Sequence, residues 1–479
     1  MRKLSILILT VLASLSAAAL VPPRDPARWN EWREQVTARQ AIGMHRAPMA
    51  TQAIGQRTII PKVLVIMANF ADYQFVSSRA DVDSMFNGYN WTKDDAKGSV
   101  RQYFYDQSNG AYNPQFDIVG PITLSNGYAY YGAGSSAGPM VDEACKIVND
   151  SVDFSQYDLN GDNKIDLVYV FYAGFGENDP PSDDLIPDAT KLVWPQYTTY
   201  SGGTYDGKRL DACVYSNELD GLASTATNHV VTGIGTMCHE FGHALGLPDL
   251  YQTTGSQPTR CGIWDVMDWG MYDDYMHSPP AYSAYERFFM GWLTPTLIVA
   301  PDTLTLAHIA TSNEAFMITT TDEANMNGVS PSPSDFYLLE NRQLTSWDRG
   351  LPGSGMMITH IRYNASKWTS NTVNNSPPLG VDIVIADGNK DSEWIGKASD
   401  LFPAGASAYE QIADHAITDI TMTDGIVRFV YRGGIEPEDP TAVTTQVNDR
   451  QVYKTIRDGQ LLIHSNGHTY SVYGIRQDY

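Results

Sequence analysis

Residues 239–249 of this 479-residue chain read HEFGHALGLPD. Two histidines four positions apart lie one turn above each other on the same face of a helix, so both imidazoles can reach one metal ion. The helical period rotates Glu240 by about 100° from its neighbour, which puts its carboxylate at the edge of such a site. His239 and His243 are therefore candidate zinc ligands, and Glu240 is the candidate general base for a metal-activated water.

The residues after His243 are expected to turn the chain back toward the metal. Gly246 favours the left-handed backbone that ends a helix, and Pro248 cannot continue one. Asp249 would then return as an oxygen ligand from another direction. Two histidine nitrogens and one carboxylate, with a fourth position open, are typical of a catalytic zinc site. A bare HExxH also arises by chance on helices with two satisfied histidines, and Gly246 and Asp249 make that alternative less favoured.

The helix itself is predicted independently of the motif, over residues 228–246. Apolar side chains around the motif recur at helical spacing: Ile234, Met237, Cys238, Phe241 and Leu245. A second helix is predicted over residues 283–292. It carries Glu286, a rival third ligand, because some zinc peptidases take a glutamate from a later helix. The glycine turn and Met267 favour Asp249.

Three further stretches carry a family resemblance: LPDLY at 247–251, WDVMDWG at 264–270 and YERFFMGW at 285–292. Together with the extended motif they resemble the immune inhibitor A family of secreted bacterial zinc metallopeptidases, which is metzincin-like. The resemblance covers roughly residues 60–432. It implies that Met267 is the methionine of the turn beneath the metal, although an ordinary core methionine is the alternative. It also implies that Asp249 takes the place of the histidine found in most metzincins.

The fold class expected from this resemblance and the chain pattern is α+β. A metzincin-like zinc peptidase domain, with a mixed sheet and the active-site helix, is expected over residues 57–297. Its predicted elements alternate between strands and helices: strand 63–70, helix 96–110, strand 115–124, helix 139–152 and strand 167–173. Residues 192–195 are expected to return to the sheet edge, where an extended substrate would pair. Glu177 and Asp179 are interpreted as solvated loop carboxylates.

Residues 158–166 read DLNGDNKID and place oxygen-bearing groups at every second position. Such spacing wraps a hard cation such as calcium. The early glycine, and a tyrosine at the twelfth position, depart from an EF-hand, so the prediction is a shorter structural calcium loop. An Asx-rich turn is the alternative. The predicted ligands are Asp158, Asn160, Asp162 and Asp166 through their side chains and Lys164 through its carbonyl.

The ends of the chain carry targeting and linker signals. Residues 1–19 have a basic start, an apolar run and small residues at the end, which predicts a signal peptide and a secreted or extracellular protein. Residues 20–56 are interpreted either as a propeptide or as a poorly ordered N-terminal arm. After a β-rich domain over 298–432, residues 433–441 form a linker by composition. Residues 442–479 predict a β-hairpin tail, either a sorting or surface-attachment segment or a simple closing hairpin.

Composition limits the partners. A formal net charge of −23 argues against nucleic acid and against anionic membrane surfaces. Beyond the signal peptide, no stretch is long and apolar enough to span a bilayer. Four cysteines allow up to two disulfides in one of three pairings: Cys145, Cys213, Cys238 and Cys261. Cys238 is interpreted as a packed thiol or half-cystine, not as a ligand.

The leading hypothesis is a secreted zinc endopeptidase that acts on proteins or peptides, with Glu240 as the general base. A non-catalytic secreted or surface binding protein on a peptidase fold is the alternative from another class, and loss of Glu240 would have been its mark. A calcium-stabilised surface protein with a merely structural zinc is the second alternative. Such a zinc would want four protein ligands, and three are evident.

Overall fold

The computed structural model describes most of the chain between residues 58 and 434 and part of the tail. The described ranges are 24–25, 58–133, 137–253, 259–390, 395–434, 453–457, 460–465 and 468–471. The predicted signal peptide, most of the predicted N-terminal arm and linker, and residues 466–467 of the predicted hairpin tail lie outside these residues. Among the described residues, no helix has both the length and the apolar character needed to cross a bilayer.

The first nine strands form a mixed sheet and a small satellite sheet. In chain order they are β1 (Lys62–Asn69), β2 (Gln115–Thr123), β3 (Lys164–Ile165), β4 (Val168–Phe175), β5 (Gln196–Thr199), β6 (Thr204–Tyr205), β7 (Lys208–Leu210), β8 (Ala212–Thr225) and β9 (Asn228–Val231). The main sheet has the order β2-β1-β4-β8-β5, with β9 also pairing β8, and β3, β7 and β6 form the satellite. Strands β2, β1, β4 and β8 are parallel, whereas β5 runs antiparallel to β8 at the end of the order.

Among the described residues, eight α-helices accompany these strands and those that follow. They are α1 (Arg79–Asn87), α2 (Val100–Gln107), α3 (Tyr128–Gly132), α4 (Gly138–Val148), α5 (Gly235–Ala244), α6 (Ala284–Met290), α7 (Ile309–Ser312) and α8 (Ala365–Thr369). Ser78 and Ser283 begin α1 and α6 with reciprocal capping boxes. The α+β fold class predicted from the sequence is confirmed, and the metzincin-like detail remains a prediction.

The helix predicted over 228–246 is shorter than expected, and the prediction is wrong at its start. Asn228–Val231 is strand β9, which pairs antiparallel with β8. Helix α5 begins only at Gly235, after a short connection. A β-carbon at Gly235 would lie 1.8 Å from the carbonyl oxygen of Met271, so the helix starts where the chain needs a very close approach. The apolar side chains at helical spacing begin only at Ile234, and the residues before them pair with the long strand β8 instead.

The main sheet is buried on both faces, which explains the continuous apolar run at its centre. Alternate residues of β1 enter two different cores. Val63, Val65 and Met67 join the core that contains Phe241 of α5. Leu64, Ile66 and Ala68 join the core that contains Met140, Val141 and Ala144 of α4. The metal-motif helix and α4 therefore cover opposite faces of the sheet.

Between α6 and residue 434, the described residues form eight strands: β10 (Thr296–Leu297), β11 (Asp302–Leu306), β12 (Phe316–Ile318), β13 (Asp335–Arg342), β14 (Gly355–Arg362), β15 (Val381–Ile383), β16 (Ile417–Thr423) and β17 (Ile426–Tyr431). They form two sheets, β10-β12-β13-β14-β15 and β11-β17-β16. Phe336 and Met357 of the first sheet lie in the same core as Phe288 of α6 and Phe241 of α5. The domain boundary at residue 297 stays a prediction, and the core holds side chains from both sides of it.

Residues Ile435–Tyr479 form a second compact unit. Its described strands are β18 (Tyr453–Arg457), β19 (Gln460–Ser465) and β20 (His468–Ser471), paired antiparallel in that order. Strands on both sides of the predicted hairpin turn are thus present. The sorting or attachment role of this tail stays a prediction.

No disulfide forms between the cysteines. Cys145, Cys213, Cys238 and Cys261 are all buried free thiols. The two disulfides that four cysteines would permit are therefore not formed, and the interpretation of Cys238 as a packed thiol fits the structure. Burial raises the pKa of the Cys238 thiol well above its ordinary value, as expected for an inert core thiol.

Candidate metal centre

Helix α5 and the turn after it bring three candidate ligands together. The Nε2 atoms of His239 and His243 lie 3.2 Å apart. Asp249 Oδ1 lies 3.2 Å from the first and 3.1 Å from the second. All three side chains are buried. Among the described residues, they are the one group of three or more His, Cys, Asp or Glu with ligand atoms at metal-site spacing.

The spacing of these atoms fits a tetrahedral ion. Zinc with ligand distances of about 2.0–2.1 Å would separate neighbouring ligand atoms by about 3.4 Å. Within the described structure, buried Asp249 Oδ1 accepts no hydrogen bond. Burial lowers the pKa of His243, but the Asp249 carboxylate outweighs it and raises that pKa to about 9. The Asp249 carboxylate thus favours a positive charge between the three side chains. Two imidazole nitrogens and one carboxylate oxygen are a ligand set that suits zinc.

Backbone carbonyls orient both histidines. His239 Nδ1 lies 2.8 Å from the carbonyl oxygen of Val266, and His243 Nδ1 lies 2.8 Å from that of Leu247. A carbonyl only accepts, so in each neutral ring Nδ1 carries the proton and donates. The Nε2 lone pairs then face each other and Asp249, which is the arrangement that metal-binding histidines require.

The turn predicted at Gly246 is present and returns the chain to the site. Gly246 has a φ of +105°, a conformation that favours glycine. Its amide donates to the carbonyl of His243 at 3.0 Å, and the amide of Leu247 donates to that of Gly242 at 3.1 Å. These bonds satisfy carbonyls at the end of α5 and reverse the chain, so that Asp249 reaches the histidines.

Asn371 holds the candidate carboxylate ligand from a distant part of the chain. Its Nδ2 donates to Asp249 Oδ2 at 2.6 Å, and its Oδ1 accepts from the Asp249 amide at 2.7 Å. Asn371 follows α8, is 2% exposed and has a φ of +53°. The oxygen of Asp249 that faces the histidines is therefore distinct from the oxygen that Asn371 binds. Sequence reasoning missed this residue.

Met267 packs against the metal-motif helix, and its role as the methionine of a turn beneath the metal stays a prediction. It is fully buried, and its carbonyl accepts from the amide of Leu250 at 2.9 Å. A β-carbon at Gly242 of α5 would lie 2.9 Å from Met267 Sδ, so the glycine permits close packing of the two segments. The preceding residue, Val266, supplies the carbonyl that orients His239.

Glu240 is held next to this triangle by the edge of the main sheet. Its Oε2 accepts from the backbone amide of Tyr197, on β5, at 2.6 Å. Its Oε1 is buried and has no hydrogen-bond partner among the described residues. Burial raises the pKa of Glu240, while His239 and His243 act in the opposite direction. One carboxylate oxygen is thus fixed, and the other remains for chemistry at the site.

The rival ligand Glu286 lies in a different place. It is the third residue of α6, where its Oε2 accepts from the amide of Ser283 at 2.8 Å in the capping box. Burial, and then the neighbouring carboxylate of Asp265, raise its pKa well above its ordinary value. Glu286 therefore secures the start of α6, and the structure does not bring it to the histidines.

The predicted calcium loop adopts the Asx-turn alternative in its local bonding. Asp158 Oδ1 accepts from the amides of Gly161 and Asp162 at 2.8 and 3.0 Å. Asp158 Oδ2 pairs with the ammonium of Lys208 at 2.6 Å, and the same ammonium lies 3.2 Å from Asn163 Oδ1. The remaining predicted ligand side chains each accept from a backbone amide: Asn160, Asp162 and Asp166. A lysine cation thus pairs with one of the predicted calcium ligands, Asp158.

The interpretation of Glu177 and Asp179 as solvated loop carboxylates is wrong. Their exposed fractions are 3% and 1%. Asp179 Oδ2 pairs with Arg24 of the N-terminal arm at 3.3 Å. These residues follow β4 in a polar, glycine-containing segment, whose composition predicts a surface loop. The partner of Asp179 lies far along the chain, so the local composition gives no sign of this burial.

Comparison with known proteins finds similarity to metallopeptidases. Residues 80–292 match the model of the immune inhibitor A peptidase M6 catalytic domain. Immune inhibitor A of Bacillus thuringiensis subsp. alesti is 28% identical over 280 residues, which cover 48% of this chain and 39% of the relative. The pre-pro-metalloprotease PrtV of Vibrio cholerae serotype O1 is 24% identical over 362 residues, or 63% of this chain and 38% of the relative.

A putative secreted metallopeptidase of Arthroderma benhamiae is 23% identical over 212 residues, which cover 36% of this chain and 29% of the relative. The matches to the two bacterial relatives cover about two fifths of their lengths. The matched region contains the whole metal triangle, Glu240 and Met267. The resemblance drawn from the sequence is confirmed: residues 80–292 are similar to the catalytic domain of the immune inhibitor A metallopeptidases.

Proposed function

We propose that this chain is a secreted, zinc-dependent endopeptidase that hydrolyses peptide bonds in proteins. One observation carries the proposal: the ligand triangle of His239, His243 and Asp249 lies beside a buried glutamate with one uncommitted oxygen. The match to an M6 peptidase domain supports the reaction class. The names of two relatives, a pre-pro-metalloprotease and a putative secreted metallopeptidase, support export and proteolysis.

The three ligands would hold the zinc, and Glu240 would move the proton. Zinc, when bound, supplies a Lewis acid that polarises the scissile carbonyl and lowers the pKa of a water. Glu240 takes a proton from the attacking water through Oε1 and passes it to the leaving amine. The Tyr197 amide holds Oε2 during both transfers, so the carboxylate need not reorient. The two transfers return Glu240 to its ionised form.

Strand β5 would align the substrate. Its residues pair antiparallel with β8 on one side, and the Tyr197 amide points away from β8 toward Glu240. The outer edge of β5 therefore faces the catalytic glutamate. An extended peptide that adds to this edge by strand pairing would pass its backbone in front of Glu240. This placement favours cleavage within a chain over cleavage at its ends.

Residues 20–56 are proposed to act as a propeptide that keeps the exported enzyme latent. This segment has no cysteine, so latency cannot use a thiolate on the zinc. Casein hydrolysis by the full exported chain should be slower than hydrolysis by a form that begins near Arg57. Equal specific activity of the two forms would contradict the zymogen proposal, and it would leave the proposal for the metal centre unchanged.

A structural calcium ion at residues 158–166 stays a prediction. The Lys208 ammonium neutralises Asp158, so a calcium ion would have to displace it. Calorimetric titration with calcium at fixed zinc should show binding that Asp158→Asn removes. No calcium binding to the wild type, with unchanged thermal stability in a calcium chelator, would leave the lysine-bridged turn as the correct description.

The direct test of the function is casein hydrolysis by the processed chain, run beside Glu240→Ala and beside the wild type with a zinc chelator. Only the untreated wild type should cleave, and added zinc should restore the chelated sample. Glu143→Ala is a matched control, since this glutamate bonds Tyr131 and Ser125 away from the triangle. An inert, processed, zinc-loaded wild type would favour the alternative of a non-catalytic binding protein.

A further inference from the structure

Two buried carboxylates lie side by side at one end of the main sheet. Asp179 follows β4, and Asp220 lies on β8; their exposed fractions are 1% and 0%. Asp179 Oδ2 accepts from the amide of Gly221 at 2.9 Å, and Asp220 Oδ1 accepts from that of Ala223 at 2.7 Å. Two amide bonds do not compensate two buried negative charges, so this pair needs a cation.

Arg24 supplies that cation from the N-terminal arm. Its Nη1 lies 2.7 Å from Asp220 Oδ2 and 3.3 Å from Asp179 Oδ2. Its guanidinium carbon lies 5.3 Å from the centre of the Tyr275 ring, a cation–π contact. Its backbone amide donates to the carbonyl of Asn178 at 3.2 Å. Arg24 is only 7% exposed, so this side chain is inserted into a pocket and does not lie across a surface.

The pocket has the form of a recognition site for an arginine side chain. Two carboxylates from separate elements and an aromatic face surround one guanidinium, and the Asn178 carbonyl holds the backbone of the same residue. A planar guanidinium can stack on an aromatic ring while it meets carboxylates, which a compact ammonium does less well. A second observation points to a ligand: Asp179 Oδ1 is buried and has no hydrogen-bond partner among the described residues. Burial raises the pKa of Asp179 to about 7, Arg24 acts in the opposite direction, and the neighbouring Asp220 carboxylate raises it further.

Hydrogen bonds and close packing connect this pocket to the metal centre. Asn178, which pairs with the backbone of Arg24, donates through its side chain to the Tyr272 hydroxyl at 3.2 Å. Tyr272 belongs to the 3₁₀ segment Trp269–Met276, which follows Met267 and contacts the start of α5. Strand β8, which carries Asp220, also pairs with β5, the strand that holds Glu240. A residue bound here is therefore fixed to both elements that form the centre.

We propose that Asp179, Asp220 and Tyr275 form a guanidinium-binding pocket, that Arg24 fills it in cis to dock the N-terminal arm, and that an arginine side chain of a peptide enters it once Arg24 has left. Docking of the N-terminal arm explains why Arg24 is buried against two carboxylates that lie far from it in the sequence. The binding claim stands apart from catalysis, because neither zinc nor Glu240 takes part in it.

The test uses the full exported chain, its Arg24→Ala variant and three small probes. N-acetyl-arginine amide is the ligand probe, N-acetyl-citrulline amide has nearly the same shape without charge, and N-acetyl-lysine amide has the charge without the planar fork. Arg24→Ala should melt several degrees below the wild type. The arginine probe should bind Arg24→Ala in calorimetry and raise its melting temperature with concentration. The wild type, with its pocket filled, should not respond.

Arg101→Ala is the matched control, because Arg101 also lies over a tyrosine ring, at 5.3 Å, but at the surface and without a carboxylate. It should neither melt lower nor gain a response to the probe. If Arg24→Ala does not fold, Arg24→Lys is the second variant, and the arginine probe should stabilise it more than the wild type. The proposal is overturned if the probe acts equally on wild type and Arg24→Ala, or if citrulline binds as well as arginine.

Discussion

Replacing Asn371 should weaken zinc binding although this residue is not a ligand. Asn371 binds Asp249 twice, through the carboxylate at 2.6 Å and the backbone amide at 2.7 Å. A buried hydrogen bond to a charged group contributes about 1.5–3 kcal/mol. Part of that energy keeps Asp249 Oδ1 turned toward the histidines. Loss of such an outer contact costs about 10–100-fold in metal affinity, or about 1.4–2.7 kcal/mol.

Asn371→Gly is the best variant for this test. The φ of +53° at this position would strain an alanine, whereas glycine adopts it without cost. The Asn371 carbonyl that accepts from Thr253 Oγ1 is kept. Asn375→Ala is the matched control: Asn375 lies in the same loop and bonds the amide and hydroxyl of Thr253 at 2.8 and 2.9 Å without touching a ligand.

The assay is zinc competition against a chromophoric chelator at fixed pH, with the melting temperatures of the metal-free proteins measured separately. Asn371→Gly should lose about 10–100-fold in zinc affinity, and Asn375→Ala should bind as the wild type does. If Asn371→Gly binds zinc as tightly as the wild type, Asp249 is oriented without Asn371 and the reasoning fails.

Three further predictions concern stability. Burial raises the pKa of Asp273 to about 7, so between about pH 4, its unfolded value, and pH 7 the folded state holds a proton that the unfolded state lacks. The free energy of unfolding, measured with denaturant, should therefore fall as pH rises through this window, and it should fall less in Asp273→Asn than in the wild type. The same pH dependence in both proteins would contradict this. Gly235→Ala forces a β-carbon to within 1.8 Å of the Met271 carbonyl oxygen and should lower the free energy of unfolding by about 3 kcal/mol. In the control Gly207→Ala the new β-carbon meets open space, and the expected loss is about 1 kcal/mol. Similar losses in the two variants would show that the close approach at Gly235 is unimportant. Zinc removal should lower the melting temperature and zinc addition restore it, since an ion that binds only the folded state stabilises it; His243→Ala should abolish this zinc-dependent shift, and a shift of unchanged size would place the ion elsewhere.

The parts of the centre that sequence could predict are local. The HExxH spacing puts two imidazoles on one helical face whatever surrounds the helix, and Gly246 with Pro248 dictates the turn that follows. Strand β1 could be predicted because a strand that is buried on both faces has a continuous apolar sequence, which is visible without knowledge of its neighbours. The α+β class follows from such elements.

The parts that sequence missed depend on partners far along the chain. Asn371 is 122 residues from Asp249, and Tyr197 is 43 residues from Glu240. Asp179 is 155 residues from Arg24, and without that partner a carboxylate in a polar loop is expected in solvent. The residues of strand β9 were predicted as helix, and the prediction failed because their pairing with β8 cannot be read from the local sequence. Tertiary contacts, which carry no local signal, decided each case.

The central claim is that three residues hold the ion while Glu240 performs the proton transfer. The most direct measurement compares zinc content and casein turnover of the wild type and Glu240→Gln, a substitution of the same shape that cannot take a proton. Both proteins should bind one zinc per chain, and only the wild type should cleave casein. Retained turnover in Glu240→Gln would contradict its role as base, and loss of its zinc would show that Glu240 belongs to the ligand set.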